Sequence, residues 1–162
     1  MKKFSFSIIL LLCLIIISAC SGYRPIFGTS NLKVKIVDYS IAGDQRLGNE
    51  IYTRLYNLSK SNENSPNTKN IYIFINSTQN KNATAKNTAG KVLGYRINLS
   101  TSIIAKDLST GDELLNENFS FSLTYKTQDE FFETKKLENQ TVENLVNLTY
   151  QDLLIKLTNS LL

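Results

Sequence analysis

Apolar residues recur along the chain with two different spacings, and the first half shows both. From Leu32 to Ile36 apolar residues alternate with lysines, which is typical of a strand with one buried face and one solvent-exposed face. After Gly43-Asp44, leucine and isoleucine recur every three or four residues, which predicts a helix from about Gln45 to Lys60. The polar run from Ser61 to Asn70 contains a proline and predicts a loop.

The second half contains three β-type segments followed by a helical one. Ile71 to Ile75 predicts a second strand, with a polar continuation from Asn76 to Gly90. Clean alternation predicts a third strand from about Val92 to Ile104. A turn at residues 109–112 then leads to a fourth strand from about Leu114 to Tyr125, so strands two to four form an antiparallel meander. From about Phe131 nearly to the end, helical spacing returns.

The resulting order is strand, helix, three strands and helix. Because each strand has one apolar face and one polar face, we expect both helices to cover the same side of the sheet. The sequence therefore predicts an α/β (α+β) two-layer sandwich, with a four-stranded, mostly antiparallel sheet and two helices packed on one face.

The amino end has the pattern of a bacterial lipoprotein signal. Lys2 and Lys3 precede an apolar core from Ile8 to Ile17, which is too short for the roughly 20 residues of a spanning helix. Ile17, Ser18, Ala19 and Cys20 then supply a branched aliphatic residue, two small residues and a thiol that can take a diacylglycerol. The alternative is a plain signal peptide or signal anchor that happens to contain a cysteine.

This pattern divides the chain into a signal peptide at residues 1–19, a lipidated tether at residues 20–30 and one domain at residues 31–162. The lipid would anchor the protein in a membrane. Ser21, rather than aspartate, follows the acylated cysteine, which in Gram-negative sorting argues against retention at the inner membrane. We therefore expect the protein at the outer membrane, on the periplasmic side.

Composition excludes several classes of function. Without Lys2 and Lys3 the chain keeps 16 basic and 14 acidic residues, a net charge of about +2 that is too small to indicate nucleic-acid binding. There is no histidine, so the commonest general base and the usual zinc ligand are missing. The neighbouring carboxylates Asp112-Glu113 and Asp129-Glu130 are interpreted as solvated loop charge. We identify no catalytic residue, no metal ligand and no cofactor, and expect a protein that is not an enzyme.

The tether resembles a motif of a known family. After Cys20 and one inserted serine come Gly22, Tyr23, Arg24, Pro25, Ile26, Phe27 and Gly28. With the element order and the acylated cysteine, this segment resembles the LptE family of LPS-assembly lipoproteins, in particular its alphaproteobacterial branch. The stretch from Tyr125 to Phe131 is similar to that family's approach to its last helix.

The resemblance implies a role without catalysis. LptE-like proteins sit inside the outer-membrane β-barrel LptD, help it to assemble, and plug it while lipopolysaccharide (LPS) passes to the cell surface. The sheet face without helices would offer a polar surface to the lumen of such a barrel. Two other classes remain open: a lipid-anchored binding or accessory component of another envelope transport system, and an envelope enzyme such as one acting on peptidoglycan, for which the sequence supplies no acid and base pair.

Four basic residues are candidates for contact with LPS, which is polyanionic. Lys81, Lys86, Lys91 and Arg96 cluster along the hairpin from the second to the third strand, in a stretch from Asn76 to Ile104 without any acidic residue. Lysine and arginine make charge-assisted hydrogen bonds to phosphates. An equally plain interpretation is that these charges solubilise the hairpin and protect an edge strand.

Overall fold

The computed structural model describes residues 32–61 and 67–161. Six elements follow one another along these residues, and the elements are β1 (Val34–Gly43), α1 (Gln45–Ser61), β2 (Lys69–Lys86), β3 (Val92–Asp107), β4 (Glu113–Lys126) and α2 (Phe131–Ser160). The predicted order is thus confirmed. The predicted signal peptide, Cys20 and the motif from Gly22 to Gly28 lie outside the described residues.

The four strands form one mixed sheet in the order β1-β2-β3-β4. β1 and β2 are parallel and are joined through α1, whereas β2, β3 and β4 form the predicted antiparallel meander. The sheet is therefore mostly antiparallel, as expected. One end of the sheet, where the chain enters β1 and Val34 pairs with Lys69, is called here the amino-terminal end. It lies far from the β2–β3 hairpin, where Lys86 pairs with Val92.

A β-bulge explains why β1 is longer than the predicted strand. The register shifts between Ile36 and Asp38, so that Ile36 pairs with Ile71 while Asp38 pairs with Tyr72. The extra residue reverses which positions face the helices, since Tyr39 and Ile41 now lie opposite Ile73 and Ile75. Simple alternation ends at Ile36 for this reason, although the strand continues to Gly43.

β2 is more than three times as long as its predicted apolar segment. Only its first half is buried, with Ile71, Ile73 and Ile75 fully inside, whereas residues 80–86 are all exposed. β1 ends opposite Ser77, so among residues 32–61 and 67–161 the second half of β2 pairs with β3 alone. Backbone hydrogen bonds to β3 hold this half in strand form, and because its side chains from residue 80 onward are exposed, polar residues are tolerated there.

Both helices lie on the same face of the sheet and bury the odd-numbered side chains of β2, β3 and β4 together with Val34 and Ile36 of β1. α1 contributes Leu47, Ile51 and Leu55 to the core, and α2 contributes residues such as Leu145 and Leu153. The helices also meet, since the Arg54 guanidinium donates to Asn147 and to Glu50, the latter at 2.7 Å. None of the helices in residues 32–61 and 67–161 combines the length and apolar character that crossing a membrane requires.

Candidate binding groove at the hairpin end

A groove of about 390 Å³ opens where the β2–β3 hairpin meets the start of α2. The connection from β4 to α2 is tied to β3, since Thr127 donates its N–H to the carbonyl of Leu93 and its hydroxyl to that of Val92, each at 3.0 Å. Thr134, in the first turn of α2, accepts the N–H of Gln128 at 2.8 Å. The hairpin, the connection from β4 to α2 and the start of α2 all contribute lining residues. These residues are Lys81, Lys91, Val92, Tyr95, Thr127, Gln128, Asp129, Phe131, Thr134, Lys135 and Glu138.

Glu138 is the centre of a charged cluster on the floor of the groove. Lys81 Nζ lies 2.6 Å from Glu138 Oε2, and Lys135 Nζ lies 3.1 Å from Oε1. The Tyr125 hydroxyl donates to Oε2 at 3.1 Å. The Lys81 ammonium also lies 4.3 Å from the centre of the Tyr95 ring, a favourable cation–π distance. Tyr95 and Tyr125 stack with their ring centres 5.8 Å apart. Together these contacts connect β2, β3, β4 and α2.

These contacts change the acidity of Glu138. Burial by itself would raise its pKa, but the hydrogen bonds from Lys81, Lys135 and Tyr125 outweigh burial and lower the pKa to about 2. On Lys81, burial would lower the pKa, yet the hydrogen bond to Glu138 produces a net raised pKa. Both groups are therefore charged at neutral pH.

We expect the charge on Glu138 to stabilise the fold. A carboxyl whose pKa is lower in the folded state contributes stability above its unfolded pKa and loses it as the pH falls. Glu138→Gln should reduce the free energy of unfolding at pH 7 by about 1 to 2 kcal/mol, after allowance for partial solvent screening. The difference from wild type should shrink between about pH 4.5 and pH 2, as measured by urea unfolding across that range.

Glu143→Gln is the matched control, because Glu143 is an exposed residue of the same helix. It should change the free energy of unfolding by less than about 0.5 kcal/mol at any pH. Equal losses for the two variants, or a loss for Glu138→Gln that does not depend on pH, would contradict the role assigned to this carboxylate.

The rim of the groove combines cationic and aromatic side chains. Lys91 Nζ lies 3.7 Å from Asp129 Oδ1, but both groups are well exposed, so this pair contributes little. Phe131, which lines the groove, is 83% exposed, and its neighbour in α2, Phe132, is 72% exposed. Three ammonium groups against two carboxylates leave a net positive groove beside an apolar rim. Such a surface suits an anionic group attached to an apolar body.

The structure divides the four basic residues that the sequence singled out. Lys81 and Lys91 line the same groove, and Lys86 lies at the hairpin tip opposite Val92. Arg96 belongs to the opposite face, because alternation along β3 turns its neighbours Tyr95 and Ile97 toward the helix side. Contact of any of them with LPS stays a prediction. In the described residues no group of three or more acidic, cysteine or histidine side chains is arranged to hold a metal ion.

Sequence reasoning did not identify Glu138, although it lies between Lys81 and Lys135 in the structure. Its spacing of three from Lys135 on a helix suggests an ion pair. The partner from β2, 57 residues away, has no local signal. The sequence marked Phe131 as the start of the last helix and as the end of the stretch that resembles the family, but not as part of a site.

No protein-family model and no curated protein sequence matches the chain. Its fold is nevertheless similar to that of several bacterial lipoproteins. Rare lipoprotein B of Shewanella oneidensis aligns with a TM-score of 0.55 at 10% identity, over 76% of this chain and 95% of that one. A minor lipoprotein of Acinetobacter baumannii gives 0.56 at 10% identity, over 80% and 93%. A lipoprotein of Caulobacter crescentus gives 0.52 at 15% identity, over 80% and 90%. At these identities the likeness establishes a shared fold.

Proposed function

We propose that the protein is an outer-membrane lipoprotein that assembles with an LptD-like β-barrel, plugs it, and takes part in LPS transport to the cell surface. The proposal rests on the agreement of two features of the chain. The lipoprotein signal ending at Cys20 and the LptE-like motif after it precede a domain whose fold is shared with rare lipoprotein B. The lipid would hold the domain on the periplasmic side, and the protein would act by shape and surface rather than by catalysis.

The helix-free face of the sheet supports this proposal. In the middle of this face the side chains are short and uncharged, and they include Asn98, Ser100, Asn118, Ser120, Ser122 and Thr124. Arg96 and Lys126 lie on the same face nearer the hairpin end. The uncharged part can exchange hydrogen bonds with the polar interior of a large barrel, and the two cations would require acidic partners there. The helices occupy the other face, where the basic groove lies.

Co-purification tests the partnership. Tagged protein extracted from native membranes in mild detergent should bring down a large β-barrel protein in a one-to-one ratio, measured by mass spectrometry and by the mass of the complex. Recovery with an ABC transporter or a periplasmic shuttle instead would support an accessory role in another transport system. Recovery of the protein alone would overturn the proposed assembly and leave an independent envelope protein, such as an enzyme.

Direct contact with LPS is tested by neutralising two lysines that lie near the groove mouth. Lys86→Gln with Lys91→Gln should weaken binding of purified LPS about three- to tenfold, since each exposed charge contributes up to about 1 kcal/mol. Leaving Lys81 intact keeps its ion pair with Glu138 and hence the groove itself. Dissociation constants at fixed salt measure the effect.

The matched control is Lys60→Gln with Lys106→Gln, which removes the same charge from exposed positions at the other end of the molecule. This variant should bind LPS like wild type. Equal weakening by both double variants would indicate nonspecific attraction, and no weakening by either would remove these lysines from the proposed contact.

A further inference from the structure

The two most exposed large apolar side chains in the described part of the chain are neighbours at the start of α2. Phe131 is 83% exposed and Phe132 is 72% exposed, whereas the next in order, Val37, is 55% exposed. A single exposed apolar residue is ordinary, but two adjacent aromatic rings form a contiguous apolar patch. Patches of this kind commonly mark a site of contact with another molecule.

The two rings differ in their relation to the groove at the hairpin end. Phe131 lines the groove together with Val92 and Tyr95, whereas Phe132 is not among the residues that line it. Consecutive residues of a helix point about 100° apart, so Phe132 projects away from the groove that Phe131 borders. The hairpin end therefore carries an apolar projection beside a partly apolar groove. Such a surface can pair with a copy of itself, because the projection of each copy can enter the groove of the other.

Charges of both signs flank the two rings. Glu130 and Glu133 lie at the start of α2, and Lys86 lies at the hairpin tip. None of these three side chains forms an ion pair within the part of the chain that the structure describes. Lys91, also on the hairpin, has only the exposed Asp129 at 3.7 Å. In a two-fold contact the carboxylates of one copy can face the hairpin cations of the other, so the surface is complementary to itself in charge.

We propose that two copies of this chain associate through the hairpin end, with Phe132 of each copy seated in the groove of the other. The contact is isologous, so the same residues serve on both sides. A bilayer surface is a poorer partner, because it would bring Glu130 and Glu133 against lipid phosphates. A second copy offers apolar groove walls to the ring and cations to the carboxylates.

The size of the contact is that of a weak dimer. A phenylalanine buries about 150 to 250 Å² when it is fully enclosed, so the exposed parts of the four rings in a dimer amount to roughly 600 Å². The surfaces that they cover add a similar area, for a total of roughly 1,200 Å², which is the lower limit of stable, specific interfaces. The dimer should therefore exchange with the monomer at micromolar concentrations.

Association of this kind covers the groove in both copies. The dimer consequently competes with any ligand that enters the groove, and it describes the chain before such a ligand or another partner is bound. The inference uses neither the barrel nor LPS, so its failure would leave the proposed function untouched.

Sedimentation equilibrium tests the proposal on residues 20–162 with Cys20→Ser, so that neither a lipid nor a thiol joins the copies. At about 100 µM the protein should have twice the mass of a single chain, and at about 1 µM the mass of one. Phe132→Ser should raise the dissociation constant at least about tenfold, because it removes the aromatic anchor of the contact. Ile155→Ser is the matched control and should leave the constant unchanged, since Ile155 is a 44% exposed apolar residue at the other end of α2.

A single-chain mass at the higher concentration, or equal weakening by Phe132→Ser and Ile155→Ser, would overturn the proposal. If the monomeric chain instead requires Phe132 for recovery with the β-barrel, the patch serves that partner and not a second copy. Far-UV circular dichroism verifies that each variant is folded.

Exchange of charge between the two flanking patches provides a second test. Glu130→Lys with Glu133→Lys should weaken the dimer at least about tenfold, because like charges then face each other across the contact. Adding Lys86→Glu and Lys91→Glu to the same chain should restore the dissociation constant to within about fivefold of wild type, since the patches again meet with opposite signs. Failure of the fourfold variant to recover association would show that these patches do not face each other and would overturn the proposal.

Discussion

Replacing Cys20 with serine should move the protein from the membrane fraction to the soluble fraction. Each buried methylene of an acyl chain contributes about 0.8 kcal/mol to membrane binding, so two or three chains make detachment negligible. Serine cannot form the thioether to diacylglycerol, and the described helices offer no membrane-spanning segment in its place. Fractionation with a carbonate wash and the mass of the amino-terminal peptide measure the change.

Cys13→Ser is the matched control for this prediction, because Cys13 lies inside the apolar core of the predicted signal. That variant should stay in the membrane fraction and carry the same lipid mass on Cys20. An unmodified sulfur on Cys20 of the native protein, or membrane retention of Cys20→Ser, would contradict the lipid anchor and with it the proposed location.

Replacing Gly43 with alanine should destabilise the domain by about 3 kcal/mol or more. Gly43 ends β1 with φ of 70°, which alanine rarely adopts. A Cβ there would also lie 2.7 Å from Asn76 Oδ1 and closer still to the carbonyl oxygen of Ser77, which accepts the N–H of Asp44 at 2.6 Å. The turn from β1 into α1 would have to move. Urea unfolding and a fall in Tm of about 6 to 12 °C would report this cost.

Gly90 separates the two causes, since it also has a positive φ, of 83°, but a Cβ there would meet open space. Gly90→Ala should therefore cost only about 1 to 2 kcal/mol, the conformational part alone. Losses of the same size for both variants would mean that crowding against Ser77 contributes nothing, and that the turn after β1 is less constrained than the structure indicates.

Periodicity predicted the order and type of the elements because burial on one face imposes it directly on the sequence. The prediction weakened where burial was not the cause. The second half of β2 is held by hydrogen bonds to β3, and its sequence has no alternating pattern of apolar residues. β1 was predicted too short because a bulge at Ile36 and Asp38 reverses the alternation, and nothing in the local sequence specifies an unpaired extra residue.

The candidate groove was predicted only in part, for a similar reason. The basic character of Lys81 and Lys91 is visible in the sequence, but their position beside Glu138, Tyr125 and Phe131 depends on the packing of α2 against the sheet. Arg96 was grouped with the lysines because all of them follow one another along the chain. Alternation within β3 could have separated it, since Tyr95 and Ile97 were already assigned to the opposite side.

The unequal lengths of β1 and β2 have a mechanical consequence. Beyond Ser77, β2 continues for nine residues, about 30 Å, and among residues 32–61 and 67–161 it has a strand neighbour, β3, on one edge only. The other edge of β3 is braced, because it pairs with β4 as far as Gly94 while Lys81 is bound to Glu138 of α2. A guest that enters beneath Lys81 must therefore break the contacts of Lys81 with Glu138 and Tyr95, and we expect the hairpin to keep its shape rather than bend.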